Sequence, residues 1–140
     1  MLIQLAQSDA EILECFSTLS QLRPHLKKED FLEQVHRQQQ DNYQLAFVDI
    51  EKQIVAVAEF RISECLASGR FLYVDDLVVD KTMRSQKFGQ YLFEWLVEYA
   101  VLQGCKELSL DSGVQRFDAH RFYLRQRMNI SSHHFSLLLS

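Results

Sequence analysis

The chain has 140 residues, of which 47% are hydrophobic and 24% charged, with a formal net charge of -4. That length suits one domain spanning residues 1–140 with a core of its own, and the composition argues against a disordered chain. The mild negative charge gives no overall pull toward nucleic acid or an anionic membrane, so neither is expected as a partner, while cationic small molecules remain suitable ones.

"LIQLAQ" predicts a first strand. Ser8 and Glu11 form a capping-box pattern that opens a helix with Ile12, Phe16 and Leu19 on its apolar face. Pro24 breaks the chain, and Glu29 and Asp30 open a second helix whose buried stripe is Phe31, Leu32 and Val35. "YQLAFVDI" and "IVAVAEFRI" flank a polar "EKQ" turn and predict a hairpin. In the second of these strands Ile54, Ala56, Ala58, Phe60 and Ile62 alternate with Val55, Val57, Glu59 and Arg61. Glu59 reads as a surface residue near Arg61, close to where a cleft would lie.

"RFLYVDDLVV" predicts a fourth strand, apolar on both faces but interrupted by Asp75 and Asp76. A regular strand would bury one of these carboxylates on each face, which demands a reason. A β-bulge or splayed strand there would relieve the conflict, and bulges gather near active sites. The helix that follows carries Phe88, Tyr91, Leu92, Trp95, Leu96, Tyr99 and Leu102 as a core stripe and stops at Gly104. "CKELSLD" predicts a fifth strand, "RFDAHRFYLRQ" a short helix, and "NISSHHFSLLL" a terminal strand or pair of strands. Together these elements imply an α+β or mixed α/β sheet with about four helices.

Cys15, Cys65 and Cys105 are odd in number, far apart and outside any C-x-x-C pattern, so they read as reduced thiols of a cytoplasmic protein. The start "MLIQLAQSDAEI" has no cationic segment followed by an apolar run, which reads against a signal peptide, and no stretch reaches membrane-spanning length. His133 and His134 are adjacent on the expected last strand, so they would point oppositely and not chelate one ion. No metal site is expected.

The loop after the fourth strand, "KTMRSQKFG", brings Lys81, Arg84 and Lys87 to a helix start beside Gly89. Free N–H groups at a helix start, flanked by cations, suit a pyrophosphate. The loop fits neither a Walker motif nor the dinucleotide G-x-G-x-x-G. "DLVVDKTMRSQKFGQYL" resembles the acyl-CoA-binding motif of the GNAT superfamily of N-acetyltransferases, with Arg84, Ser85, Gln86, Lys87, Phe88 and Gly89 at the R-G-x-G-x-G positions. "RFDAHRFYLRQRM" is similar to the family's N-x-x-A-x-x-x-Y-x-x-x-G-F, with Ala119 and Tyr123 matching. Lys87 stands where a strict glycine is usual, Arg116 replaces the asparagine, and Arg127 with Met128 replaces glycine and phenylalanine.

The resemblance implies the acyl-CoA N-acyltransferase fold and an acetyl-CoA donor. Backbone groups of Leu77, Val78 and Val79 would line the pantetheine arm, and the N–H groups from Arg84 to Gln90 the pyrophosphate. It further implies direct acetyl transfer to a primary amine of a small molecule or peptide in a ternary complex. Glu59, Asp75 or Asp76 would take the amine proton, and a backbone N–H near Val78 would stabilise the oxyanion. Tyr123 matches the family's general acid and would donate a hydrogen bond to the departing sulfur. Asp111 and Ser112, at the end of the fifth strand, stand as acceptor contacts. A homodimer is compatible with this reading, and a non-catalytic acyl-CoA sensor on the same fold is the alternative.

Overall fold

The computed structural model describes residues 1–140. The chain runs β1 (Leu2–Leu5), α1 (Asp9–Glu14), α2 (Phe16–Leu22), α3 (Lys28–Gln39), β2 (Tyr43–Ile50), β3 (Gln53–Cys65), β4 (Gly69–Val79), a 3-10 turn (Lys81–Met83), α4 (Phe88–Leu102), β5 (Glu107–Leu110) and α5 (Phe117–Arg125). It divides into two compact units, Met1–Ser109 and Leu110–Ser140. The five strands lie in the order β1-β2-β3-β4-β5, and β1 to β4 pair antiparallel in succession. The α+β class is the one expected from the sequence, with five helices against about four expected.

Ser8 Oγ accepts the Glu11 N–H at 3.1 Å, and the Glu11 carboxylate accepts the Ser8 N–H at 3.1 Å. This is the capping box that the spacing announces. The single helix expected after it is interrupted at Cys15, whose N–H bonds Ile12 O at 3.1 Å, three residues back rather than four. That tightened turn divides the segment into α1 and α2. The apolar stripe survives the division: Ile12 and Leu19 are buried, and Phe16 packs against the same cluster.

Two irregularities in the sheet decide where side chains point. Asp49 pairs with Ile54 but Val48 pairs with Ala56, so Val55 is an extra residue on β3. Glu59 pairs with Asp76 but Phe60 pairs with Val74, so Asp75 is an extra residue on β4. Each is a bulge, which bends the strand and re-aims the residues beside it. The first corrects the simple alternation along β3: Ile54 packs with the cluster that holds Val57, instead of sharing the face of Ala56 and Phe60.

The first unit buries both faces of its sheet. On one, Ile12, Cys15, Leu19, Phe31 and Val35 from α1 to α3 pack against Tyr43, Leu45, Phe47, Val57 and Val78. Full burial of such an aliphatic side chain stabilises the fold by roughly 1.5–3 kcal/mol. On the other, Phe60 meets Tyr99 of α4 edge-on at 5.6 Å between ring centroids, and Trp95 stacks on Tyr99 at 5.1 Å. The buried residues of α4 are Leu92, Phe93, Leu96 and Ala100. Two members of its expected stripe are not core: Tyr91 is exposed, and Leu102, on the last turn of the helix, is 81% exposed.

The expected terminal strand is absent. Residues 129–139 form neither helix nor strand, and their side chains are exposed, Phe135 by 89% and Leu139 by 92%. Apolar and β-prone residues make a strand only where a neighbouring strand offers a ladder, so propensity misleads here. No helix is long and apolar enough to cross a membrane.

Candidate active site

The bulge at Asp75 resolves the conflict posed by two adjacent carboxylates. Arg61 shares a face of β3 with Glu59, and its Nε donates to Asp75 Oδ2 at 3.0 Å. Asp76, opposite Glu59 in the ladder, accepts from Arg23 just beyond α2, with Nε at 3.1 Å and Nη2 at 2.6 Å from the same Oδ1. Both aspartates therefore project to the α1–α3 side of the sheet, where they meet Glu59. Tyr43 of β2, itself buried, donates its hydroxyl to Glu59 Oε1 in a short hydrogen bond.

Glu59 is thus half-buried inside a polar cluster, which corrects its reading as a surface residue. Removal from water pushes its carboxyl up to about 9, and a hydrogen bond shared with Asp76 works in the same direction against the opposing bond from Tyr43. Burial raises Asp75 as well, with Arg61 opposing it. Burial and the neighbouring Glu59 charge push the Tyr43 phenol far above its usual range, so it stays a donor. The cluster holds three carboxyls, two guanidiniums and one phenol within a few residues of the strand that the donor motif designates. Tyr43 and Arg23 carry no mark in the sequence that separates them from ordinary core and surface residues.

The loop after β4 is built to hold a shape. Asp80 caps the 3-10 turn by accepting from Thr82 N at 2.9 Å and Thr82 Oγ1 at 2.6 Å, and the Thr82 hydroxyl is the largest influence keeping its carboxyl below the ordinary range. Gln21 of α2 donates to Asp80 Oδ2 at 3.0 Å and accepts the Lys81 N–H at 2.9 Å. Beyond this anchor, Ser85 and Lys87 adopt left-handed backbone with φ of 69° and 68°. Left-handed residues at alternate positions are typical of concave turns whose N–H groups bind anions. Helix α4 starts at Phe88, and its first N–H groups have no partner within the helix. Leu77, Val78 and Val79 pair with Ala58, Val57 and Ala56. On the other side of β4 stands β5, with four residues against eleven, so it can pair only part of that edge.

The second unit places Tyr123 on α5. The helix ends at a left-handed Arg127, φ 66°, one of the positions where the motif usually has glycine. A cavity of about 530 Å³ is lined by Asp111, Ser112, His120, Tyr123, His133 and His134, among others. His120 Nε2 bonds Gly113 O at 2.8 Å, and His134 Nδ1 lies 3.6 Å from Asp111 Oδ1. Both terminal histidines face this cavity, unlike the opposed pair expected on a strand. Asp111 and Ser112 line it too, and the Ser112 hydroxyl is buried without a hydrogen-bond partner.

The element order, the bulged fourth strand and the loop that follows define the acyl-CoA N-acyltransferase fold. The sequence profile of the acetyltransferase (GNAT) family matches residues 8–128. The chain belongs to that family of acyltransferase enzymes. It is 32% identical over 117 residues to an N-acetyltransferase of Bacillus subtilis, YhdJ, described as uncharacterized, covering 83% of this chain and 82% of the relative. It is 39% identical over 66 residues to the aminoalkylphosphonate N-acetyltransferase of Salmonella typhimurium, a match covering 47% of this chain and 43% of that one. Among solved structures, the aminoglycoside N-acetyltransferase AAC(6')-Iy in complex with CoA superposes with a TM-score of 0.84 at 13% identity, over 98% of this chain and 94% of the other.

Proposed function

We propose that residues 1–140 act as one catalytic domain that transfers an acetyl group from acetyl-CoA to a primary amine of a small molecule or peptide, in the cytoplasm. The observation that carries this reading is the bulge at Asp75, which gathers Glu59, Asp75 and Asp76 on one face immediately before the donor strand and its loop. The presence of CoA in a protein of the same fold supports the choice of donor.

In the reaction, the amine must first lose a proton, since an ammonium has no lone pair for attack. Its nitrogen then forms a bond to the thioester carbonyl carbon, the carbon–sulfur bond breaks, and the proton that the nitrogen gives up as the amide forms goes to the sulfur, so that CoA leaves as the thiol. The Asp76 carboxylate accepts the amine proton. Glu59, protonated at rest, holds Asp76 in place through the hydrogen bond that they share. Arg84 to Gln90 supply N–H groups and cations for the pyrophosphate, and the backbone of Leu77, Val78 and Val79 lines the pantetheine. Tyr123 is assigned by its place in the motif to the departing sulfur.

Acetyl-CoA is expected to raise Tm, and amines in a broad panel to release the thiol. Tyr123→Phe should slow release while leaving the acetyl-CoA shift intact. No stabilisation by any acyl-CoA would refute the reading, and stabilisation without turnover would leave a sensor in place of an enzyme.

A further inference from the structure

The three carboxyls near the bulge suggest, at first sight, a pocket for a cation. Their partners say otherwise. Asp75 is bonded by Arg61, Asp76 by Arg23, and Glu59 by the Tyr43 hydroxyl and by Asp76. With a proton on Glu59, two carboxylates face two guanidiniums and the cluster carries no net charge. The exposures reinforce this balance. The Asp76 and Asp75 side chains are 11% and 23% exposed, whereas those of Arg23 and Arg61 are 48% and 39% exposed. An incoming molecule meets cationic groups before it meets the acids.

Two arginines from different elements, one after α2 and one on β3, are anchored to consecutive residues of β4. Both bonds from Arg23 converge on one oxygen, Asp76 Oδ1, so its planar fork is not spent on a fork-to-fork pair with a carboxylate. Guanidinium groups with donors to spare match carboxylate, phosphate and phosphonate oxygens. We infer that the acceptor is an amine carrying an oxyanion a few bonds from its nitrogen, with Arg23 and Arg61 holding the oxyanion while Asp76 faces the amine. This rests on the transferase reading above and narrows its substrate class. The aminoalkylphosphonate substrate in the name of the Salmonella relative has this chemistry.

The test compares 2-aminoethylphosphonate and β-alanine with ethanolamine and 1,3-diaminopropane, using the full chain, acetyl-CoA and thiol release. The anionic amines should exceed the other two by tenfold or more in kcat/KM. Arg61→Gln and Arg23→Gln should each erase most of that preference by raising KM, and Arg61→Lys should restore part of it. Removing one guanidinium also leaves a carboxylate unpaired, so the same variants should favour 1,3-diaminopropane more than the parent does. A parallel measurement is calorimetric binding of 2-aminoethylphosphonate to the CoA-loaded protein, which needs no turnover. Arg-dependent binding without transfer to any amine would overturn the transferase reading while leaving the two arginines as an oxyanion site. A preference for neutral or dicationic amines, or an anion preference that survives both Gln variants in both assays, would overturn the inference.

Discussion

Glu59→Gln tests the polar cluster most directly. A carboxyl whose pKa is higher in the folded chain binds its proton more tightly there than when unfolded. Its contribution to stability is therefore complete below the unfolded value, near 4.5, and is lost as pH rises toward about 9. The displacement, at about 1.4 kcal/mol per unit, amounts to about 6 kcal/mol, an upper bound because Asp76 shares the proton. For a chain of this size 1 kcal/mol moves Tm by about 3 °C, so Glu59 should lower Tm by at most about 15 °C between pH 5 and pH 9.5. Glutamine has nearly the same shape, can still accept from Tyr43 through its oxygen and donate to Asp76, and does not titrate. Melting followed by circular dichroism across this range should show parent and variant close together at pH 5 and diverging upward in pH, the variant being the more stable at 9.5. Cys15, whose thiol burial pushes up to about 12 with a smaller push from the Glu59 charge, is common to both proteins, and the part due to burial cancels in the difference. A constant gap between the two melting curves across this pH range would refute the placement of a protonated carboxyl at Glu59.

The donor loop yields two more expectations. Lys87 is a lysine at φ 68°, a conformation that costs a side-chain-bearing residue about 1–2 kcal/mol; allowing for the greater freedom of unfolded glycine, Lys87→Gly should gain about 0.5–1 kcal/mol. Thermal melting should register that gain in the free protein, together with a smaller acetyl-CoA shift from loss of the cation, and a lower Tm for the free variant would contradict the backbone reading. Gln21→Ala removes both bonds that tie α2 to the loop at Asp80 and Lys81, at a cost of about 1–3 kcal/mol. Chemical denaturation should show that loss together with weaker acetyl-CoA binding, and an unchanged midpoint would mean that the two bonds exchange freely with water.

What the sequence disclosed depended on whether the determining rule was local. The capping box at Ser8 and Glu11 needs only four residues to specify it. The bulge in β4 was legible because side chains alternate and burying carboxylates on both faces is costly, so Asp75 and Asp76 together required an irregularity. The partner of Glu59 was hidden by the other bulge. Counting back from the Glu51–Lys52 turn pairs Tyr43 with Phe60 and puts it on the wrong face, and the extra Val55 shifts it opposite Arg61, beside Glu59. Arg23 lies 53 residues from Asp76, and no periodicity relates positions so far apart. The terminal segment failed for a different reason: its residues suit a strand, but strand formation belongs to a pair of segments and cannot be read from one.

Gln21 and Arg23 stand two positions apart at the end of α2, and they hold different objects. Gln21 grips the start of the loop assigned to the donor, and Arg23 grips the bulge assigned to the acceptor. The last turn of this seven-residue helix therefore works as a shared fulcrum. A displacement of α2 would alter both contacts together.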